Sequence, residues 1–552
     1  MEKGERFMEK RLRGCGRNKF RIFIVLFFAG MFIMGFVLSG NYGPQYDEPS
    51  EIKILQMNIM EVAERLLSPD SELVYKLSNL GIHKISLDPD RDHGIAAYYP
   101  FGLRLLMQDV LSGSYEFSQI SLLFHCYTFV LCFGGVLALY FLIMEISGIR
   151  LAAFLSALIF FLSPRFFAEM HYNNKDVVLL CLLIGSWLFG IRAMKRRRIP
   201  DVLFFSLLSA VAANTKIIGL YFFALTGLTY ILYISLHRQW SRRSIAMACL
   251  AIAAFFVLYY LLTPAMWAEP TDFIRHCLNN TFSFSRWSGC VLFDGHIYQV
   301  PAQSLPRSYV PKLICLTTPV FVLLLAAAGA LMLAAGLISA LGRRGHGLSD
   351  RLLFSLMLCL CSFVPVVLAA VNPPVIYNGW RHFYFAYAGV LVLAAYPLAF
   401  LPGKCRKGAS MLTLLCLLFL FGQNIANHPN QQTYYNFLAG SDVESKYELD
   451  YWNVSTREGL KLVRELDDGD IVVSSYLSSD MGLQWGLLTL DDELRSRIRI
   501  AGPQELEQVD YVIENTTYQL YSPAPGTPPG FKYLTSIYAY GNPIVNIYVP
   551  AQ

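Results

Sequence analysis

Leu313-Ile-Cys-Leu-Thr-Thr-Pro-Val-Phe-Val-Leu-Leu-Leu-Ala-Ala-Ala-Gly-Ala-Leu-Met-Leu-Ala-Ala-Gly-Leu-Ile-Ser-Ala-Leu341 carries no charged residue. A helix crosses the hydrocarbon core of a bilayer with about 20 mostly apolar residues, and this run exceeds that length. Leu352 to Val371 is a second uncharged run, and others follow the same pattern. Only helices and closed barrels cross lipid, because every backbone polar group must find its partner inside the protein. The runs are continuous rather than alternating, so they predict helices. Of the 552 residues, 55% are hydrophobic and 15% charged, against about 25% charged in an ordinary soluble domain.

The net charge of +5 is modest, and the basic residues sit beside the apolar runs rather than on one face, which argues against a nucleic-acid partner. Met1 to Arg21 is rich in Lys and Arg and precedes the apolar run Ile22 to Leu38. No small-residue cleavage site follows, so this reads as a retained first span rather than a signal peptide. Most of the twelve cysteines, such as Cys126, Cys132, Cys181, Cys359 and Cys361, lie in apolar runs and read as packing residues. Cys277 and Cys290 share one polar loop and are candidates for a disulfide.

Basic residues near span ends mark the cytoplasmic side. Lys195 to Arg198, His237 to Arg243, Arg343-Arg344 and Lys404 to Lys407 then all fall on one side, with the N-terminus. The pattern predicts about eleven spans, with the third, 151–163, and the fourth, 177–191, short enough to be re-entrant. The loops 41–118 and 263–312 and the segment 427–552 fall on the other side. Residues 427–552 predict a small α/β domain: a helix over Thr456 to Leu466, strands at Asp470 to Ser475, Arg497 to Ala501, Tyr511 to Glu514 and Ile544 to Val549, and a Pro/Gly loop at 523–530.

Four stretches on that outer side concentrate chemistry. Asp47-Glu48-Pro49 follows the first span; it reads either as a solvated turn or as a base held at headgroup level, able to take a proton from an attacking hydroxyl. Amphipathic runs follow at Ile52 to Leu67 and Ala97 to Leu111, with His93, Tyr98 and Tyr99 before the second. Pro164 to Asp176 holds Arg165, Glu169, His171, Asn173, Asn174, Lys175 and Asp176, more polar groups than helix capping requires. Tyr377 to Tyr384 carries Arg381 and His382; arginine is suited to bidentate phosphate binding, or else snorkels at a span end.

In order, these motifs resemble the protein O-mannosyltransferase and aminoarabinose-transferase superfamily of bacterial type, glycosyltransferases with the membrane-embedded C-type fold. The resemblance rests on Asp47-Glu48 after the first span, on Pro164 to Asp176, and on Leu305-Pro306-Arg307-Ser308-Tyr309-Val310-Pro311 before a span. Arg381-His382, where the family has Arg-Tyr, and His428-Pro429-Asn430-Gln431 with Asp450-Tyr451-Trp452 complete it. His93 is followed by Gly94-Ile95 rather than the family's double proline.

The resemblance implies a polytopic α-helical membrane domain over 1–426 and an extracytoplasmic α/β domain over 427–552, in a multi-pass plasma-membrane protein. It implies Asp47 as catalytic base, Glu48 and Asp176 as further acidic site groups, and Lys175, Arg381 and His382 on the donor phosphate. His93, Tyr98, Tyr99, His171, Asn174, Tyr309 and Tyr384 are candidates for the substrate pocket. The donor would be a polyprenyl-phosphate sugar and the acceptor a protein hydroxyl, lipid or envelope glycan, with inversion. No cofactor is required, although some related enzymes hold a divalent cation between acidic loops, a place that Asp47 and Asp176 could fill. The competing readings are a transporter or lipid flippase, disfavoured by spans nearly free of ionisable residues, and a non-catalytic envelope-assembly scaffold.

Overall fold

The computed structural model describes residues 2–551 except 69, 106–115, 283–286, 343–347, 477–479, 503–504, 506–507 and 523–525. Arg343, Arg344, the end of the 97–111 run and part of the 523–530 loop therefore lie outside the described residues. Among the described residues, eight helices are long and apolar enough to span a membrane: Phe20–Asn41, Phe117–Ser147, Asp176–Arg196, Gly219–Leu236, Arg242–Leu261, Val320–Gly342, Asp350–Val371 and Gly403–Ala426. Arg150–Leu162 and Pro164–Tyr172 make a ninth, bent by 69°. The remaining two of the eleven predicted spans are the shorter apolar helices Ile199–Thr215 and Ala386–Phe400. The protein is a multi-pass membrane protein, and among the described residues eight span-length apolar helices, one bent pair and two shorter apolar helices stand where eleven spans were expected.

The bend has a local cause. Pro164 has no N–H to donate and pushes the residue before it out of the helical region; Ser163 is extended, with ψ of 116°, and Pro164 opens the second limb. That limb turns Arg165, Glu169 and His171 into the protein, where all three are buried. The short helix Ala386–Phe400 is apolar all round because protein surrounds it: Tyr387, Leu391 and Ala394 are fully buried. Val320–Gly342 packs closely on it, since a Cβ on Gly329 would lie 1.9 Å from the carbonyl oxygen of Leu393. Small residues at such crossings let helix backbones approach where no hydrophobic force drives association. The opposite stripe of that helix, Leu324, Leu331 and Ile338, is exposed, as a lipid-facing surface requires.

Strands occur in two places. β1, Gly289–Phe293, and β2, His296–Val300, form an antiparallel hairpin that the sequence reading missed. Its turn is Asp294-Gly295, both with positive φ, the strongest short hairpin signal there is. The C-terminal segment holds β3 Ile471–Ser474, β4 Ile498–Ile500, β5 Tyr511–Asn515, β6 Phe531–Ala539 and β7 Asn542–Pro550. They pair in the order β4-β3-β5-β7-β6, with β4, β3 and β5 parallel and β5, β7 and β6 antiparallel. Helix Thr456–Leu466 packs Leu460 and Val463 against this sheet. The α/β reading of the tail thus matches, with β6 added.

We expect Gly329→Val to lower the stability of the detergent-solubilised protein by about 1–3 kcal/mol, read as a drop in melting temperature. Gly134→Val, whose Cβ would meet open space, should leave melting unchanged or raise it.

Candidate functional site

A cavity of about 320 Å³ lies where four chain passages meet: 45–51 after the first span, 173–176 after the bent limb, 215–218 and 374–383. Residues 92–93, Cys277, Asn280 and Trp452 complete its wall. Asp47 occupies the N-cap position of helix Glu48–Leu66, but its side chain makes no capping hydrogen bond. Its backbone N–H donates to Gln45 Oε1 at 2.7 Å, and its carboxylate, 45% exposed, faces the cavity.

Arg381 Nη1 lies 3.3 Å from Asp47 Oδ2. The guanidinium also stands 4.3 Å from the Trp452 ring centroid and 4.8 Å from that of Tyr377. Such faces hold an arginine in place while leaving its N–H edge for an anion; Arg381 Nε has no hydrogen-bond partner. Two further pairs complete a ring. Lys175 Nζ lies 2.7 Å from Glu51 Oε1, and Lys216 Nζ contacts Asp176 Oδ1. Asn174 Nδ2 donates to Glu51 Oε2 at 3.3 Å, and the backbone N–H of Asp176 donates to Asn173 Oδ1 at 2.8 Å.

Burial raises the Glu51 carboxyl above its ordinary range, against the pull of Lys175. Burial, with Arg381 and Lys175 nearby, lowers the Lys216 ammonium, against the pull of Asp176. Burial first, and Lys216 second, hold the His382 imidazole well below the usual histidine range. His382 is therefore neutral in the cavity wall at neutral pH.

Of the residues predicted from sequence, Asp47, Asp176, Lys175, Arg381, His382, His93 and Asn174 line this cavity. The others do not. Glu48 is fully buried and shares a 2.7 Å hydrogen bond with His125 Nε2, so the second acid of the pair is a packing partner of the Phe117–Ser147 span. Tyr98 shares a 2.6 Å hydrogen bond with Thr128 inside helix Phe117–Ser147, and Tyr99 donates to the Leu262 carbonyl at 2.8 Å, so both tie the first loop to spans. The two ring nitrogens of His171 face the carbonyls of Phe167 and Gly35 at 2.9 and 3.1 Å. Tyr309 is buried against Phe293, and Tyr384 donates to Glu169 at 2.6 Å.

Cys277 and Cys290 are not joined by a disulfide; Cys277 lines the cavity from helix Pro270–Phe282, while Cys290 sits in β1. Asp47 and Asp176 each face a protein cation, and among the described residues no group of three or more His, Cys, Asp and Glu could hold an ion.

Lys216, Glu51, Asp92 and Asn280 line the cavity without having been singled out, and Trp452, quoted only as part of the Asp450-Tyr451-Trp452 motif, lines it too. Lys216 had a signal: like Lys175 and Arg381, it is a cation at a span end on the side predicted to be extracytoplasmic, where the positive-inside rule makes basic residues sparse. Trp452 arrives from the C-terminal segment, which locks the arginine loop. Trp452 O accepts from the Tyr46 N–H at 3.0 Å. Glu448 accepts from the Gly379 N–H at 3.0 Å and from the Asn378 side chain. Gly379 has φ of 68°, and a Cβ there would lie 2.9 Å from the Tyr451 hydroxyl, so only glycine fits.

Residues 117–263 match the family model described as dolichyl-phosphate-mannose-protein mannosyltransferase. The matched stretch takes in the helices from Phe117–Ser147 to Arg242–Leu261 and so supports the superfamily resemblance carried by the motifs. No curated protein matches the chain. Among solved structures it is similar to ArnT from Cupriavidus metallidurans in the apo state, at 13% identity and a TM-score of 0.46, over 95% of this chain and 97% of that one. The same protein bound to undecaprenyl phosphate gives 12% identity and 0.45, over 96% and 98%. The arabinofuranosyltransferase AftD from Mycobacteria gives 14% and 0.42, over 96% of this chain and 40% of that one.

The neutral His382 generates a pH test. Below its ordinary pKa of about 6.5, the unfolded chain binds a proton that the folded site refuses, so stability falls as pH drops through that value. In melting curves from pH 8 to pH 5, His382→Gln should flatten this decline relative to the wild type.

Proposed function

We propose that the protein is a membrane glycosyltransferase that moves a sugar from a polyprenyl-phosphate donor to an acceptor hydroxyl at the extracytoplasmic surface, inverting the anomeric centre. The observation that carries this reading is the Asp47 carboxylate set against Arg381 in one cavity. The cavity's two-sided chemistry supports it. Ile217, Ile218, Pro374, Val375 and Ile376 form an apolar wall, and Lys175, Lys216 and Arg381 lie beside it, which suits a phosphate attached to a hydrocarbon chain. The family match supports it too, because that family is named for transfer from a dolichyl-phosphate sugar. The basic cluster Lys195 to Arg198 ends the helix whose first residue, Asp176, lines the cavity; the positive-inside rule then faces the cavity outward.

On this reading, Asp47 accepts the proton of the acceptor hydroxyl as its oxygen bonds to the anomeric carbon. The bond from that carbon to the phosphate oxygen breaks, and its electron pair leaves with the polyprenyl phosphate. Arg381 meets the growing charge with its planar fork, and Lys175 and Lys216 add point charges. Asp176 holds Lys216 in place. No step needs a metal.

The test is turnover of a labelled polyprenyl-phosphate sugar by the purified protein. Removing a general base costs about 10²–10⁴-fold, so Asp47→Asn, whose amide oxygen can still accept from Arg381, should lose that much kcat while remaining folded. A folded Asp47→Asn that turns over normally overturns the assignment, and lipid movement across liposomes without sugar release would favour a flippase. Dialysis against a chelator should leave the wild-type rate unchanged.

A further inference from the structure

A second cavity, of about 280 Å³, lies between helices Asp176–Arg196, Ile199–Thr215, Gly219–Leu236 and Arg242–Leu261. It sits at the other end of the helices that build the catalytic cavity. Helix Ile199–Thr215 reaches this recess with Val202 and Phe205 and the catalytic cavity with Thr215. The two are about 20 Å apart along that helix. Helix Asp176–Arg196 likewise begins in one and places Ala193 and Met194 in the other.

The recess exists because Arg242–Leu261 packs mainly on Ile199–Thr215, and Gly219–Leu236 on Ile199–Thr215, Asp350–Val371 and Asp176–Arg196, rather than on each other. Its lining is almost wholly carbon, including Phe223, Ala251 and Met247. Leu228, Ile231 and Ile252 line it and are also exposed on the outer surface, so it opens sideways toward lipid. Apolar cavities of about 150 Å³ already take up a benzene-sized molecule.

One helical turn beyond the recess, toward the membrane surface, stand cations. Arg197 follows Met194 by three residues, Arg198 precedes Val202 by four and Arg243 precedes Met247 by four. Arg198 and Arg243 are exposed. Of the nearby carboxylates, Glu145 is taken by Arg192, Lys195 and Arg196, and Asp201 is buried in the first turn of Ile199–Thr215, where it favours the helix N-terminus. An apolar slot open to lipid beneath exposed arginines has the form of one anionic phospholipid.

We propose that this recess binds an anionic phospholipid of the leaflet opposite the catalytic cavity, with an acyl chain between the two helices and the phosphate on Arg198 and Arg243. The site is separate from the donor site and does not depend on the proposed transferase activity.

The test is native mass spectrometry of the full chain in detergent, titrated with phosphatidylglycerol or phosphatidylcholine. The wild type should hold one phosphatidylglycerol with at least about tenfold preference, as two arginines at a phosphate would give. The double variant Arg198→Gln/Arg243→Gln, altered only at exposed residues, should lose the preference. Gly227→Leu, whose new side chain enters open space in the recess, should lose the bound lipid while Asp47-dependent turnover persists. Equal retention of both lipids, no retained lipid, or a double variant that keeps its preference would each overturn the proposal.

Discussion

The cavity depends on cations and carboxylates neutralising each other at the level where the spans leave the membrane. A lone charge there would draw water into the protein or shift its protonation, because burying an unpaired ion is costly. Asp47 and Arg381, Glu51 and Lys175, and Asp176 and Lys216 avoid this by pairing across chain passages remote in sequence. These pairs draw the segment after the first span, the turn after the bent limb and the loop before Ala386–Phe400 toward one point.

The rest of the fold serves this convergence. Ser163-Pro164 breaks a span so that its second limb delivers Asn173 to Asp176 to the cavity rather than carrying them on through lipid. The short helix Ile199–Thr215 ends early enough for Lys216 to reach Asp176. The C-terminal segment closes the arrangement: Trp452 lies against the Arg381 guanidinium, and Glu448 fixes the loop that carries it.

The long helices were legible because lipid imposes a pattern that composition alone reveals, as Leu313 to Leu341 illustrates. Asp47, Lys175, Asp176 and Arg381 were legible because clustered charge at a span end has few structural explanations. Glu48 and Glu51 mark where this ends. Both are glutamates in the first turn of one helix, and only the distant His125, which takes Glu48 into the core, decides that Glu51 faces the cavity. The tyrosines misled for the same reason: an aromatic hydroxyl near a site is satisfied by whatever tertiary packing brings, Thr128 for Tyr98 and Glu169 for Tyr384. Asp450-Tyr451-Trp452 was legible as a motif, but the place of Trp452 at Arg381 was not, because it arises only when the tail folds back onto the span ends.

The closeness of Asp47 to Arg381 has a consequence for how an anion comes and goes. An incoming negative group finds the arginine already occupied, so it gains only the difference between its own grip and that of the carboxylate it displaces. In the proposed reaction, displacement frees Asp47 at the moment a ligand arrives, which ties readiness to occupancy. The same trade runs in reverse afterwards, with the returning carboxylate helping to evict a spent anion that a bare arginine would retain.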